Sequence, residues 1–154
     1  MAVYFGDSSA IVKRYVNEIG TAWVTSITSP GAGNDIYMVQ VTGVEIVSAI
    51  TRAGRSGRIS VANATTAISD FRYDFANGYH VIEIKPGLIS HAMTLAEAYA
   101  LRGYDAVQLA AALEVNTHWL SQGGPPITLI SADTALNAAA IVEGLTIDNP
   151  NWHP

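Results

Sequence analysis

With 154 residues, 49% of them hydrophobic and 14% charged, the chain is long enough to bury one sizeable core and too apolar to be a disordered tail. The absence of cysteine excludes disulfide frameworks and zinc fingers and makes a reducing cytoplasm the expected setting. A formal charge of -5 argues against a broad basic surface for nucleic acid, unless acids gather to hold cations that reverse the local sign.

Val3 to Gly6 reads as a short strand ending at Asp7-Ser8-Ser9, and Ala10, Ile11 and Val12 lead into Lys13-Arg14, a strand, cap and helix in succession. No basic segment followed by an apolar one precedes it, so no signal peptide is expected. A helix over Thr21 to Thr28 gives way to the breaker-rich loop Ser29 to Asn34, and Ile36 to Val39 is the next strand. The spacing then turns helical from Gln40 to Ala53, ended by Gly54 to Gly57, and a further helix is expected between Val61 and Ala76. Asn63-Ala64-Thr65 matches a glycosylation sequon, which without secretion is accidental.

Tyr79 to Ile84 alternates as a strand, and Pro86 starts a helix that runs to about Leu101. Tyr104 to Thr117 is apolar on nearly every side through Leu113, the pattern of a buried central helix, and too short to span a bilayer. After a loop from Ser121 to Pro126 come a strand at Ile127 to Ile130, the turn Ser131-Ala132-Asp133, a small-residue helix to about Val142, and a last strand near Leu145 to Ile147. Strands alternating with helices imply parallel pairing in a three-layer α/β domain over residues 1–150, with 151–154 as a C-terminal tail. Ligands of such sheets bind beyond the carboxyl ends of the strands, where Asp7 and Asp133 fall.

Taken singly, Asp7, Asp105 and Asp133 each precede an apolar helical segment and could serve only as N-caps. Glu45 lies among Val41, Val44, Ile46, Val47, Ala49 and Ile50, sharing a narrow polar stripe with Ser48 and Arg52 that could equally be a thin solvent-facing strip. Brought together, such carboxylates would repel one another unless a cation compensates. An all-oxygen site suits Mg²⁺ or Mn²⁺, whose chemistry leads to phosphodiester hydrolysis. His80, His91, His118 and His153 are scattered without a metal-ligand pair and read as structural or surface residues, and no Walker loop or dinucleotide fingerprint occurs.

Four segments in order, Phe5-Gly6-Asp7-Ser8-Ser9-Ala10-Ile11-Val12-Lys13, Thr42 to Ala49 around Glu45, Leu101 to Ala110 around Asp105, and Ser131-Ala132-Asp133-Thr134-Ala135-Leu136, resemble the PIN-domain nucleases, particularly the VapC-type toxins of bacterial toxin-antitoxin pairs. The resemblance runs from Asp7 to about Pro150. It implies a three-layer PIN-like fold with a central mostly parallel sheet, and a metal-dependent endoribonuclease, often homodimeric, silenced by a small cognate antitoxin. It places Asp7, Glu45, Asp105 and Asp133 as catalytic and metal-binding acids for Mg²⁺ or Mn²⁺, Ser9 as support for the first aspartate, and Ser131 as a partner of a metal-bound water. The chain departs from the compact pattern in an extended connection from His118 to Pro126 and a lengthened loop from Ser29 to Asn34.

For RNA contact the candidates are Lys13 and Arg14 after the first motif, and Arg52, Arg55 and Arg58 after Glu45; each could also be an ordinary solvated charge. Ile11, Val12, Tyr15, Val47 and Ile50 are candidates for a partner patch, a homodimer interface or core. The competing functions are a PIN nuclease for RNA processing or DNA with no toxic role, and a catalytically silent PIN-like binding module.

Overall fold

A computed structural model describes residues 1–154. Its strands are β1 (Val3–Gly6), β2 (Asp35–Val39), β3 (His80–Ile82), β4 (Thr128–Ile130) and β5 (Thr146–Asp148), joined in one sheet ordered β3-β2-β1-β4-β5. Every neighbouring pair is parallel. Parallel neighbours need crossovers, and the chain supplies them as α1 (Ser8–Ile11), α2 (Thr21–Thr28), α3 (Gln40–Arg55), α4 (Val61–Asn77), α5 (Pro86–Tyr99), α6 (Gly103–Ser121) and α7 (Thr134–Val142).

The alternation of side chains along each strand builds two cores. Val3 and Phe5 of β1, Val39 and Leu129 turn towards Leu88, Leu95, Leu109 and Leu136 on α5, α6 and α7. Ile36, Met38 and Ile130 turn the other way, onto Ile11, Ile46, Ile50 and Phe71 of α1, α3 and α4. The sheet is therefore covered on both faces, and each fully buried large side chain contributes roughly 1.5–3 kcal/mol. The three-layer α/β reading holds, with a sheet that is wholly rather than mostly parallel.

Some boundaries differ from expectation. α6 continues beyond Thr117 to Ser121, so His118 lies within a helix and the connection to β4 begins only at Gln122. Val115 is buried and Trp119 packs against the same core, while Gly124 N–H folds back to donate to Trp119 O at 2.9 Å. β3 is shorter than Tyr79–Ile84, and the Ser29–Asn34 loop contains a single 3-10 turn at Pro30–Ala32. Residues 151–154 lie against the fold: His153 stacks on Trp23 at 4.1 Å, and its Nε2 sits 2.8 Å from Asp148. Gly20 makes this closure possible, because at φ 89° it takes a left-handed conformation and any Cβ there would strike Pro150 O.

The candidate partner patch also resolves differently. Ile11 and Ile50 are wholly buried, and Val12, Tyr15 and Val47 are half-buried against the same core, so these residues are mainly framework. No helix is long and apolar enough to cross a membrane.

Behind α1 lies a charged knot. Lys13 is 5% exposed and its Nζ pairs with Glu18 Oε2 at 3.0 Å, while the other Glu18 oxygen meets Arg58. Burial pushes the Glu18 carboxyl up, but hydrogen bonds from Arg58 and Lys13 outweigh it and hold the carboxyl below its ordinary range. A lowered folded pKa contributes stability above the unfolded value and loses it as pH falls through the folded one. Glu18→Ala, which strands the buried Lys13 charge, should therefore cost about 3 kcal/mol near neutral pH. In thermal melts from about pH 7 to pH 3 the difference from wild type should shrink on acidification; a constant difference would assign the loss to packing instead.

Candidate active site

The chain leaves the central strand β1 towards β2 and β3, then returns to build β4 and β5 on its other side. The carboxyl ends of β1 and β4 thus flank the switch point where open α/β sheets bind ligands. Asp7 follows β1 directly, and Ser131-Ala132-Asp133 follow β4. Glu45 comes from α3, which starts without a break after β2, and Asp105 from the first turn of α6. Gly6 helps to set the first of these positions: a Cβ there would press on the Ile11 side chain that packs over the strand tip, and glycine leaves it room.

Asp7 is 3% exposed. Its Oδ2 accepts from Ser9 Oγ at 2.5 Å, Ser9 N at 3.3 Å and Ser131 Oγ at 3.1 Å, whereas no protein donor meets Oδ1. Ser9 Oγ also accepts from Ala132 N at 2.9 Å, and Ser131 Oγ from Asp133 N at 3.0 Å. The two hydroxyls thereby stitch the β1–α1 turn to the β4–α7 turn. Ser9 bonds the first aspartate, and Ser131, itself fully buried, bonds the same carboxylate directly.

Glu45 is half-buried, and its Oε1 accepts from Gln108 Nε2 at 2.9 Å. Gln108 also donates to Thr42 Oγ1 at 2.8 Å, and is a fully buried polar residue within the apolar stretch of α6 from Ala106 to Leu113. Its one sequence signal is that it interrupts the apolar run Ala106 to Leu113. Asp105 lies in the first turn of α6 behind Arg102, which occupies the N-cap position in its place, and there its charge faces the positive end of the helix dipole. Asp133 does cap its helix, accepting from Leu136 N at 2.9 Å through Oδ1.

Arg102 went unremarked in the sequence and is central here. Its Nε donates to Asp105 Oδ2 at 3.0 Å and its Nη2 to Asp133 Oδ2 at 2.8 Å. These two carboxylates hold the guanidinium more firmly protonated than usual. Its signal was the three-residue spacing to Asp105, which places both on one helix face. As arranged, no three Asp, Glu or His side chains form a set able to hold a metal ion; Arg102 bonds one oxygen of each of two acids, and Gln108 bonds one of Glu45.

Of the expected RNA contacts, Lys13 and Arg14 are withdrawn. Lys13 is buried against Glu18, and Arg14 donates to Thr28 Oγ1 at 2.7 Å and pairs with Asp74 at 3.4 Å. Arg58 is bound to Glu18. Arg52 remains exposed, held at 2.8 Å by Ser48 in a depression of about 500 Å³ that it shares with Ser8, Ser9, Glu45 and Tyr104. Arg55 is exposed near the end of α3. A second depression, about 470 Å³, is lined by Glu45, Arg102, Tyr104 and Asp105, so Glu45 and Tyr104 border both. The largest depression, about 640 Å³ between α5 and the end of α6, includes His91 and His118 but none of the four acids. His80 pairs with Asp35 at 3.0 Å and stacks on Tyr37.

Burial pushes the Asp7 carboxyl up, against the bonds from Ser9 and Ser131, and the nearby Asp105 charge adds to the rise. Glu45 is raised by burial, with further repulsion from Asp7 and Asp105. A raised folded pKa gives stability that is present below the unfolded value and lost as pH climbs through the folded one. Without divalent cations, the protein should therefore melt higher as pH drops from neutral towards about 5. Asp7→Asn should be more stable than wild type at neutral pH, with the gain vanishing in acid. Melts of wild type and variant in chelator across that range check this; a variant less stable at neutral pH would show that the Asp7 charge stabilises the fold.

No family model matches the chain. Ribonuclease VapC45 of Mycobacterium tuberculosis is 30% identical over 146 residues, which cover 94% of this chain and 93% of that protein. Among solved structures, PAE2754 from Pyrobaculum aerophilum aligns with a TM-score of 0.63 at 20% identity, covering 95% of this chain and 89% of that one. A toxin-antitoxin complex from Klebsiella pneumoniae aligns with a TM-score of 0.55 at 18% identity, covering 97% and 98%. The end-to-end match at this identity, on a fold shared with those structures, means that the chain belongs to the VapC ribonuclease family.

Proposed function

We propose that the chain is a divalent-cation-dependent endoribonuclease, folded as one PIN domain, and the toxin of a cytoplasmic toxin-antitoxin pair. The observation that carries this reading is the burial of the Asp7 carboxylate at the tip of the central strand, with the Asp105 charge close enough to act on both Asp7 and the half-buried Glu45. Folding alone does not favour such crowding. The donor set is all oxygen, which suits Mg²⁺ or Mn²⁺, and the Arg102 guanidinium between Asp105 and Asp133 marks where positive charge is accepted. Asp7, Glu45, Asp105 and Asp133 would hold the ion, which when bound supplies Lewis acidity towards a phosphodiester.

The protein's own groups do the positioning. Ser9 and Ser131 fix Asp7 through Oδ2, leaving Oδ1 without a protein donor, and Gln108 fixes Glu45. Arg52 and Arg102, in the two depressions that meet at Glu45, would be the cations that meet RNA phosphates. The family's name and the toxin-antitoxin complex of a structural relative support an antitoxin partner. An antitoxin arginine entering the crevice would repeat in trans the contact that Arg102 makes in cis, and a homodimer is the assembly the family resemblance implies.

Asp105→Asn should lower RNA cleavage by at least a hundredfold while the fold persists, because the amide keeps the shape and loses the charge. Cleavage of a mixed RNA pool should stop with a chelator and return with Mn²⁺ or Mg²⁺ but not Ca²⁺, whose loose coordination poorly supports in-line displacement. Undiminished cleavage in chelator would defeat the metal reading. Expression of the chain alone should arrest growth, and co-expression of the neighbouring reading frame should relieve it. Normal growth with an active enzyme and no complex with the neighbour product would leave a housekeeping nuclease, and no cleavage or cation binding at all a silent module.

A further inference from the structure

Arg102 is held by two carboxylates and by nothing else. Its side chain is 80% exposed, it extends from the N-cap residue of α6, and its hydrogen bonds go to Asp105 and Asp133 alone. The cations built into the framework look different: Lys13 is buried against Glu18, and Arg14 bridges Thr28 and Asp74. A long side chain in solvent loses rotamer freedom when pinned, so its position depends on the negative charge it neutralises. The two oxygens it takes, Asp105 Oδ2 and Asp133 Oδ2, belong to the acids assigned above to a divalent ion.

We propose that Arg102 is an exchangeable countercation: it neutralises Asp105 and Asp133 until a divalent cation takes those oxygens, and the released guanidinium then pairs with a phosphate of the RNA. The inference rests on the metal-site reading of the four acids. Two positive charges competing for the same oxygens repel one another at short range, so binding of the ion and retention of the guanidinium are mutually unfavourable. The released group is still tethered at the mouth. Arg102 lines the depression that also contains Glu45, Tyr104 and Asp105, so rotation about its own side chain suffices to turn it to a ligand there. Its planar fork matches a phosphate as well as it matches the carboxylates it leaves. One residue thereby serves the protein in both states, lowering carboxylate repulsion before the cation arrives and holding substrate afterwards.

The test separates the two halves by titrating Mn²⁺ calorimetrically into full-length wild type, Arg102→Ala and Arg102→Lys, and measuring RNA cleavage by each at saturating Mn²⁺. Arg102→Ala should bind Mn²⁺ about tenfold more tightly, the scale of one neighbouring charge on a carboxylate. Arg102→Lys, which keeps the charge but cannot bridge two carboxylates, should fall between. At saturating Mn²⁺, Arg102→Ala should cleave with kcat/KM lower by about tenfold or more, mostly through KM, as expected for a lost phosphate contact. If Arg102→Ala destabilises the fold, Arg102→Gln, which retains most of the side chain, replaces it in the same comparison. Mn²⁺ affinity equal to or weaker than wild type overturns the exchange, as does an unchanged kcat/KM at saturation. Should wild type bind Mn²⁺ and cleave RNA while the variants behave identically, the exchange alone fails; a wild type that binds no Mn²⁺ overturns the metal site together with it.

Discussion

A carboxylate buried at the end of the central strand is the constraint on which the site depends. Taking the Asp7 charge out of water costs several kcal/mol even after relaxation, and each hydrogen bond to a charged group returns roughly 1.5–3 kcal/mol. The partners come from both sides of the switch point, Ser9 after β1 and Ser131 after β4. Satisfying Asp7 therefore requires the two strand ends to lie together, and the β1–β4 pairing that achieves this makes the crevice. The carboxyl nonetheless stays raised, so the hydroxyls reduce the cost without removing it. A site left short of positive charge by its own fold is suited to take up a cation.

The distribution of the few basic residues reconciles a net charge of -5 with an RNA substrate. The chain has eight Lys and Arg. Lys13, Arg14 and Arg58 are consumed by the framework, tying the α1 segment to Glu18, Thr28 and Asp74. Arg102 is committed to two of the acids, and Arg52 sits beside Glu45. Of the five others, Arg52 and Arg102 stand at the crevice while Arg55, Arg72 and Lys85 are exposed away from it, a distribution that total charge cannot reveal. It suits an enzyme whose main electrostatic hold on phosphate comes from a bound ion.

What could be read from the sequence was what neighbours in the chain decide. The strand, cap and helix around Asp7 were legible because Gly6-Asp7-Ser8-Ser9 sets backbone geometry and capping locally, and Pro86 marked the start of α5 for the same reason. The end of α6 was misread because polar His118 suggested a loop, whereas burial of Val115 and packing of Trp119 carry the helix to Ser121. Lys13 and Arg14 look from sequence like free cations beside an active site; their partners are fixed only when the 3-10 turn Val12–Arg14 meets Glu18, Thr28 of α2 and Asp74 of α4. The bonds of Ser131 to Asp7 and of Arg102 to Asp133 were hidden likewise, since each joins residues far apart along the chain. Composition and periodicity locate a carboxylate, but long-range contact decides what neutralises it.

The capping role and the site role of the aspartates, alternatives in the sequence, divide between the two oxygens of one group. Asp133 spends Oδ1 on Leu136 N, satisfying the first turn of α7, and presents Oδ2 to Arg102. Asp7 concentrates its donors on Oδ2, including Ser9 N of the turn it caps, and keeps Oδ1 clear of protein donors. The cap therefore supports the site: it helps to fix the carboxylate plane through one oxygen and so aims the other, at Asp7 together with the Ser9 and Ser131 hydroxyls. Glu45 lies in a helix interior, has no cap to orient it, and relies on Gln108 from a different helix. That difference explains why a buried glutamine sits on the apolar face of α6, while Asp7 and Asp133 are oriented in part by the backbone they cap.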